Sequence, residues 1–288
     1  MAACSAAKRA RPSALEATVT TVTIPGLGTP DGMFVLGDGT RLFSSGNTIL
    51  QLAPSGRLAT IAGNPEEDGA LKDGQGIFAR FNWPACLTVD RAGNVVVADY
   101  GNHAIRAVSK EGAVVSTLAG SRQEDDDEND EVEAGFTDGQ GANARFNEPI
   151  GVVVAANGDI FVADSENHAI RVITPQGAVR TLCGNGQAGF ADAQGADARF
   201  SDPRGLALDA EENLLVADSG NYAIRRVTMA GAVSTVAGNG EEGFADGAGA
   251  AARLNSPNDL VVDGEGVIVV ADSHNHRLRK ISAGACWS

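Results

Sequence analysis

Short apolar runs alternate with turn residues along most of this chain. In one stretch the runs are 152–154, 160–163, 169–173 and 179–182, and Asn157-Gly158, 164–167 and 175–177 separate them. The runs are too short for helices and carry many β-branched residues, which predicts four consecutive strands. They are apolar almost throughout, so both faces of the predicted sheet are expected to be buried.

The whole pattern repeats. An Arg-x-x-x-Pro segment ends at Pro84, Pro149, Pro203 and Pro257, and a Val-Ala-Asp run follows fifteen residues after each proline. The spacing is 54 residues between the last two pairs of prolines and 65 between the first pair, so that interval holds an 11-residue insertion. A fifth, more divergent copy starts at Pro30. Four strands in each repeat predict an all-β, closed β-propeller of four-stranded blades, most simply with five blades. Six blades are the alternative.

The two ends of the repeat region complement each other. The last copy stops after its third strand, near Ile281. The segment 17–22 reads like 232–236, the fourth strand of the preceding copy. We therefore expect an N-terminal strand to complete the C-terminal blade and close the ring. The expected organisation is a flexible basic leader over 1–16, a propeller over 17–283 with an acidic insertion at about 121–134, and a tail over 284–288.

The segments 203–209, 213–218 and 221–225, together with 102–106 in an earlier copy, resemble the NHL repeat. The linker pattern Asp-Gly-x-Gly-x-x-Ala-Arg-Phe is similar to that of the plant, algal and bacterial branches of this family. The resemblance covers about 18–283 and implies a propeller. For function it implies a protein-interaction or scaffolding platform, with RNA-binding relatives and lactonase-like or lyase propellers of related architecture as alternatives. A companion domain beside the propeller is common in such proteins, and the sequence leaves open whether one belongs to this chain.

Charge and cysteine usage narrow the function. The net charge is −15, which disfavours general nucleic-acid binding because a phosphate backbone would be repelled. No apolar run is long enough for a membrane helix, and the leader lacks the apolar core of a signal peptide. Cys4, Cys86, Cys183 and Cys286 show no metal spacing, and Cys86 and Cys183 are interpreted as buried thiols. A reducing, cytoplasmic compartment is therefore expected.

Residues that recur from copy to copy are interpreted as structural, because they answer a need that every blade shares. We expect the strand-end acids to bond to one of two recurring arginine sets and to pin each linker to its blade. The acids are Asp99, Asp164, Asp218 and Asp272; the linker arginines are Arg80, Arg145, Arg199 and Arg253; the strand arginines are Arg106, Arg171, Arg225 and Arg279. The Asp-Gly linkers are expected to be tight turns rather than calcium loops. His103, His168 and His276 are expected to stabilise turns rather than to bind zinc.

Residues that depart from the repeat are the binding candidates, since a single site should break the pattern. They are Trp83, Tyr100, Tyr222 and the acidic run Glu124, Asp125, Asp126, Asp127 and Glu128. The acidic run is either a solvated loop or an arm that recognises a basic partner. Asn258 and Asp259 are the best polar candidates for the channel. No catalytic constellation, metal or cofactor is expected, and the partner is predicted to be a protein, bound on the face that carries the longer loops.

Overall fold

The computed structural model describes residues 28–120 and 132–282. Each repeat forms one antiparallel sheet, and the inner strands of successive sheets pack against one another. The chain is a five-bladed, all-β propeller, as predicted. The leader, the strand expected over 17–22, most of the acidic insertion (121–131) and residues 283–288 lie outside the described residues.

The strands follow the chain from the centre outwards in each blade. Blade 1 contains β1 (Pro30–Val35), β2 (Arg41–Ser45), β3 (Thr48–Leu52) and β4 (Leu58–Gly63). Blade 2 contains β5 (Gly74–Gln75), β6 (Pro84–Val89), β7 (Val95–Asp99), β8 (Ala104–Val108) and β9 (Val114–Gly120). Blade 3 contains β10 (Gly139–Gln140), β11 (Pro149–Val154), β12 (Ile160–Asp164), β13 (Ala169–Ile173) and β14 (Ala178–Cys183).

Blade 4 contains β15 (Pro203–Leu208), β16 (Leu214–Asp218), β17 (Ala223–Val227) and β18 (Val233–Ala237). Blade 5 contains β19 (Pro257–Val262), β20 (Ile268–Asp272) and β21 (Arg277–Ile281). The short strands β5 and β10 belong to the linkers and pair with the outer strands β9 and β14; the sequence pattern did not predict them.

Short 3-10 helices occupy two recurring places. One set lies in the linkers between blades: Gly76–Phe78, Gly141–Asn143, Gly195–Asp197 and Gly249–Ala251. The other set follows the second strand of a blade: Tyr100–Asn102, Ser165–Asn167, Ser219–Asn221 and Ser273–Asn275.

The core lies between neighbouring blades. One face of each sheet packs on the preceding blade, as where Phe200 and Leu206 of blade 4 meet Ile170 and Phe161 of blade 3. Because both faces of a blade are covered in this way, its middle strands are buried throughout, as β12 and β13 are. The outer strand alternates instead: in β14, Ala178 and Arg180 are exposed and Val179 is buried.

Antiparallel pairing places two kinds of loop on each rim. The turns after the second strands lie with the linkers between blades, as the hydrogen bond from Gly101 N to the Asn82 carbonyl shows. This rim, the loop-rich face, also carries the start of each inner strand. The short turns after the first and third strands lie on the opposite face.

Candidate functional site

Each of blades 2–5 contains a buried acid–arginine pair. In blade 3, Arg171 Nη1 lies 2.6 Å from Asp164 Oδ2, and both side chains are fully buried. Asp164 also accepts the backbone N–H of Asn147 at 2.8 Å and the side-chain amide of Asn167 at 2.9 Å. The same bonds recur at Asp99, Asp218 and Asp272. Each strand-end acid is therefore bonded both to the linker and to the third strand of its blade.

The arginine partner is the strand set, not the linker set. Arg171 Nη1 and Nη2 donate to the carbonyls of Arg145 and Thr137, and Nη2 also lies 2.8 Å from Asp138. Arg145 contributes one of those carbonyl oxygens, while its guanidinium group donates to the neighbouring carbonyl of Ala142. The guanidinium groups of the linker arginines Arg80 and Arg253 pair with Glu67 and Glu241. The strand arginines are therefore the cationic partners of the strand-end acids and also bond to the linker.

The Asp-Gly linkers have a second role that turn geometry did not predict. Asp138 accepts the Thr181 hydroxyl of the outer strand at 3.0 Å as well as Arg171. Burial alone would raise the pKa of Asp138, but bonds from Thr181 and Arg171 hold that pKa below its usual value. These carboxylates therefore connect the linker to the third and fourth strands of the same blade.

The recurring histidines bridge neighbouring blades. His103 and His168 adopt positive φ, and their Nδ1 atoms accept the backbone N–H groups of Glu148 and Asp202 in the next linker, at 3.0 and 3.2 Å. Burial lowers the pKa of His103, which keeps its ring in the neutral form that can accept this bond. The turn-stabilising interpretation therefore extends to an inter-blade contact.

Side chains that break the repeat meet at the start of the inner strands on the loop-rich face. Tyr100 of blade 2 donates its hydroxyl proton to Glu148, which precedes β11 of blade 3. That hydrogen bond, burial and the nearby Glu148 and Glu166 charges raise the pKa of Tyr100 to about 12, and Arg204 of blade 4 opposes them. One tyrosine, two acids and one cation from three blades are thus close enough to interact electrostatically.

The cluster continues across blades 4 and 5. Arg204 lies 2.8 Å from Asp202 and 3.4 Å from the side-chain oxygen of Asn258, which also accepts the Ser219 hydroxyl. We call the set Tyr100, Glu148, Glu166, Asp202, Arg204 and Asn258 the mouth cluster. Four are acidic or amide groups and one is cationic, so the cluster presents a net negative, hydrogen-bonding surface.

Trp83 stands beside this surface. It precedes β6, has a positive φ of 51° and is 70% exposed. Its ring is therefore available to a partner. Tyr222 occupies the histidine position of blade 4 and is half-buried, outside the mouth cluster. Asn258 was identified from the sequence; the other members, apart from Tyr100, were not, because their partners lie on different blades.

The acidic run from Glu124 to Glu128 lies outside the described residues, so its role stays a prediction. Within 28–120 and 132–282, no group of three or more His, Cys, Asp or Glu residues is arranged to hold a metal ion. Cys183 is buried and Cys86 half-buried. Burial raises the pKa of Cys183 to about 12, and burial followed by the Asp259 carboxylate raises that of Cys86 to about 11; thiols of this kind are poor nucleophiles. No helix of the described part is both long and apolar enough to cross a membrane.

Comparison with known proteins adds the family. A model described as "NHL repeat" matches residues 81–107, 146–173 and 254–281. "Protein SUPPRESSOR OF QUENCHING 1, chloroplastic" of Arabidopsis thaliana is 41% identical over 33% of this chain and 9% of its own length. "NHL repeat-containing protein 2" of Gallus gallus is 26% identical over 69% of this chain and 38% of its own length. The chain thus spans well under half of these relatives.

Solved structures share the fold at low identity. A streptogramin B lyase superposes with a TM-score of 0.59 and 18% identity, over 91% of this chain and 68% of that one. An auxiliary nutrient binding protein of Bacteroides ovatus superposes with a TM-score of 0.65 and 16% identity, over 89% and 60%. The repeat motifs, the matched family model and the five blades lead to one conclusion: the chain contains NHL repeats, and its repeats form a five-bladed propeller.

Proposed function

We propose that this propeller is a non-catalytic binding platform that recognises a basic segment of a partner protein on its loop-rich face. The observation that carries the proposal is the mouth cluster. Its residues depart from the repeat and come from separate blades, so no common need of the blades explains them. Their shared position on one rim is what a single binding site requires.

The chemistry of the rim favours a cationic, protein-type ligand. Glu148 accepts the Tyr100 hydroxyl, the charge of Glu166 helps to raise the pKa of Tyr100, and Asp202 is paired with Arg204. A lysine or arginine side chain carries only hydrogen-bond donors, and these carboxylates carry only acceptors, so the two are complementary. Trp83 offers an exposed ring for cation–π or apolar contact at the edge of the same surface. The acidic run 124–128 would add long-range attraction.

The proposal is tested by affinity capture from native extract. Three altered proteins are compared with the intact chain: Trp83→Ala, Glu148→Gln with Glu166→Gln, and replacement of 122–133 by a Gly/Ser linker. Matched controls on the opposite face are Met229→Ala, and Glu111→Gln with Glu265→Gln, all at exposed positions.

We expect the intact chain and both controls to capture a basic protein from the extract. The three rim variants should fail to capture it. We expect its retention to fall with added salt, because exposed charges are screened. Capture that survives all three rim changes would contradict the proposal. A bound nucleic acid would favour the RNA-binding alternative, and hydrolase or lyase activity of the intact chain would refute the non-catalytic interpretation.

A further inference from the structure

The inner strands approach one another closely just inside the mouth cluster. At the third residue of each inner strand the five blades carry Gly32, Cys86, Gly151, Gly205 and Asp259. A Cβ on Gly151 would overlap the carbonyl of Arg204, and one on Gly205 would overlap the Cα of Asp259. Glycine therefore lets neighbouring inner strands pack at this level, and Cys86 and Asp259 are the two residues that depart from it.

Asp259 faces the space that the inner strands surround, the central channel. Burial and, next, the Asp259 charge raise the pKa of the Cys86 thiol to about 11. The two residues belong to blades that do not pack together: β6 packs on β1 and β11, whereas β19 packs on β15. Their interaction therefore crosses the channel. Asp259 directly follows Asn258 of the mouth cluster, so it lies one residue further in.

The Asp259 carboxylate has no cationic partner in the described part of the chain. The residue is exposed to solvent, yet surrounding protein atoms desolvate its carboxylate and raise its pKa, as expected for a group that lines a narrow, water-accessible channel. Its Oδ1 accepts the N–H of Leu260 at 2.8 Å. Arg204, which donates to the neighbouring Asn258, is already paired with Asp202.

The chemistry of this position favours a compact cation. Partial desolvation makes an unpaired charge costly, and a charge-assisted hydrogen bond from a cation offsets that cost. Because the Oδ1 atom of Asp259 already accepts the Leu260 N–H, Oδ2 is the oxygen left for a ligand. A single oxygen suits the point charge of an ammonium group better than a guanidinium group, whose planar fork matches two carboxylate oxygens.

We propose that Asp259 binds one lysine ammonium group of the partner's basic segment, which enters the channel through the mouth cluster. This site rests on the proposed function, because the mouth cluster holds the segment while one of its lysine side chains extends inward. Asp259 lies one residue, about 3.5 Å along the strand, beyond Asn258, which is within reach of the four-carbon stem of lysine. The acids of the mouth attract any basic segment, and Asp259 selects one that carries a lysine at a fixed place.

Small probes test the site without the partner. The isotope-labelled, full-length chain is titrated with Nα-acetyl-lysine methylamide, and NMR follows the backbone amide of Leu260, which donates to Asp259. The matched probes are the arginine and norleucine analogues, which replace the ammonium group by a guanidinium or a methyl group. We expect a saturable shift with the lysine probe, binding of the arginine probe at least about threefold weaker, and no saturable shift with the norleucine probe.

Asp259→Asn is the decisive variant, because its amide oxygen can still accept the Leu260 N–H while the charge is lost. We expect its Kd for the lysine probe to rise at least about tenfold. Glu265→Gln, at an exposed position in the opposite turn of the same blade, is the matched control and should leave the Kd unchanged. Equal Kd values for the intact chain and Asp259→Asn, or equal binding of the lysine and norleucine probes, would overturn the proposal.

Two further comparisons identify the source of the ammonium group. n-Butylamine carries the ammonium group and its stem without peptide groups, so it should bind more weakly than the lysine probe; equal or tighter binding would overturn the assignment to a protein segment. Capture of the basic partner separates this site from the proposed function. Capture that Asp259→Asn leaves unchanged would reject the lysine site alone, whereas a lysine probe that binds when no partner is captured would contradict the proposed function alone.

Discussion

Blade 1 contains a natural replacement of the buried acid–arginine pair and so predicts how the pair can be removed. Leu50 pairs with Phe43 as Arg171 pairs with Val162, and Ser45 pairs with Thr48 as Asp164 pairs with Ala169. Blade 1 therefore carries serine and leucine where blade 3 carries aspartate and arginine. The perturbation is a double-mutant cycle with Asp164→Ser and Arg171→Leu.

The single changes should be costly. Asp164→Ser leaves the fully buried Arg171 without its 2.6 Å partner. The ring faces of Phe136 and Phe146, 4.8 and 5.1 Å from the guanidinium carbon, do not replace a carboxylate. Arg171→Leu leaves Asp164 buried, where burial already raises its pKa to about 6 against the charge of Arg171. Breaking a buried pair from one side costs about 3–5 kcal/mol.

The double variant should cost far less than the sum. It removes both charges together and leaves mainly the carbonyls of Thr137 and Arg145 without their donor, at about 1–3 kcal/mol each. We expect about 6–10 kcal/mol for the summed single changes and about 3–5 kcal/mol for the double variant, a coupling of about 3–5 kcal/mol.

The assay is equilibrium urea unfolding at pH 7.5, with two optical probes to check that blades unfold together. Arg180→Leu, at an exposed position of β14, is the control and should change stability by less than about 0.5 kcal/mol. Additive single and double effects, or a single effect below about 1 kcal/mol, would refute the structural interpretation of the pair.

Two further predictions concern the contacts between blades. His103 has a pKa that burial lowers below 6.5, so the stability it contributes is complete above pH 6.5 and is lost as the pH falls through its folded pKa. His103→Tyr, the residue found at 222, should reduce the fall in Tm between pH 7.5 and 5.5; an unchanged pH profile would exclude His103 as its source. A Cβ on Gly151 would overlap the carbonyl of Arg204 on the next inner strand, whereas one on Gly264 would meet nothing within 4 Å. Gly151→Ala should therefore destabilise by about 1–3 kcal/mol and Gly264→Ala should not, as measured by urea unfolding; equal effects would mean that the inner strands are not closely packed.

Repetition is what made the fold predictable. The strands expected at 152–154, 160–163, 169–173 and 179–182 differ from β11–β14 by three residues at most. Because the copies share one order of strands and loops, the sequence also predicted which loops lie on each rim. Even the divergent blade 1 was located from its proline spacing, although it lacks the acid–arginine pair.

The same repetition hid which arginine is buried. Both arginine sets recur at fixed offsets, so periodicity alone cannot separate them. A signal was present in the strand itself, because Arg171 lies in the middle of the apolar run 169–173, where an unpaired charge would be prohibitive. The mouth cluster had only a partial signal. Departure from the repeat singled out Tyr100, and Asn258 was a polar candidate, but Arg204 and Asn258 meet only because blades 4 and 5 are neighbours in space.

The most direct test of the proposed binding face is a hydrogen-exchange footprint of the propeller with its captured partner. We predict slower exchange at the loop-rich face, in 81–84, 99–103, 164–168 and 202–204. We predict unchanged exchange in the opposite turns 90–94, 155–159 and 209–213. Protection confined to the opposite turns, or to the outer strands, would contradict the claim that the mouth cluster is the binding site.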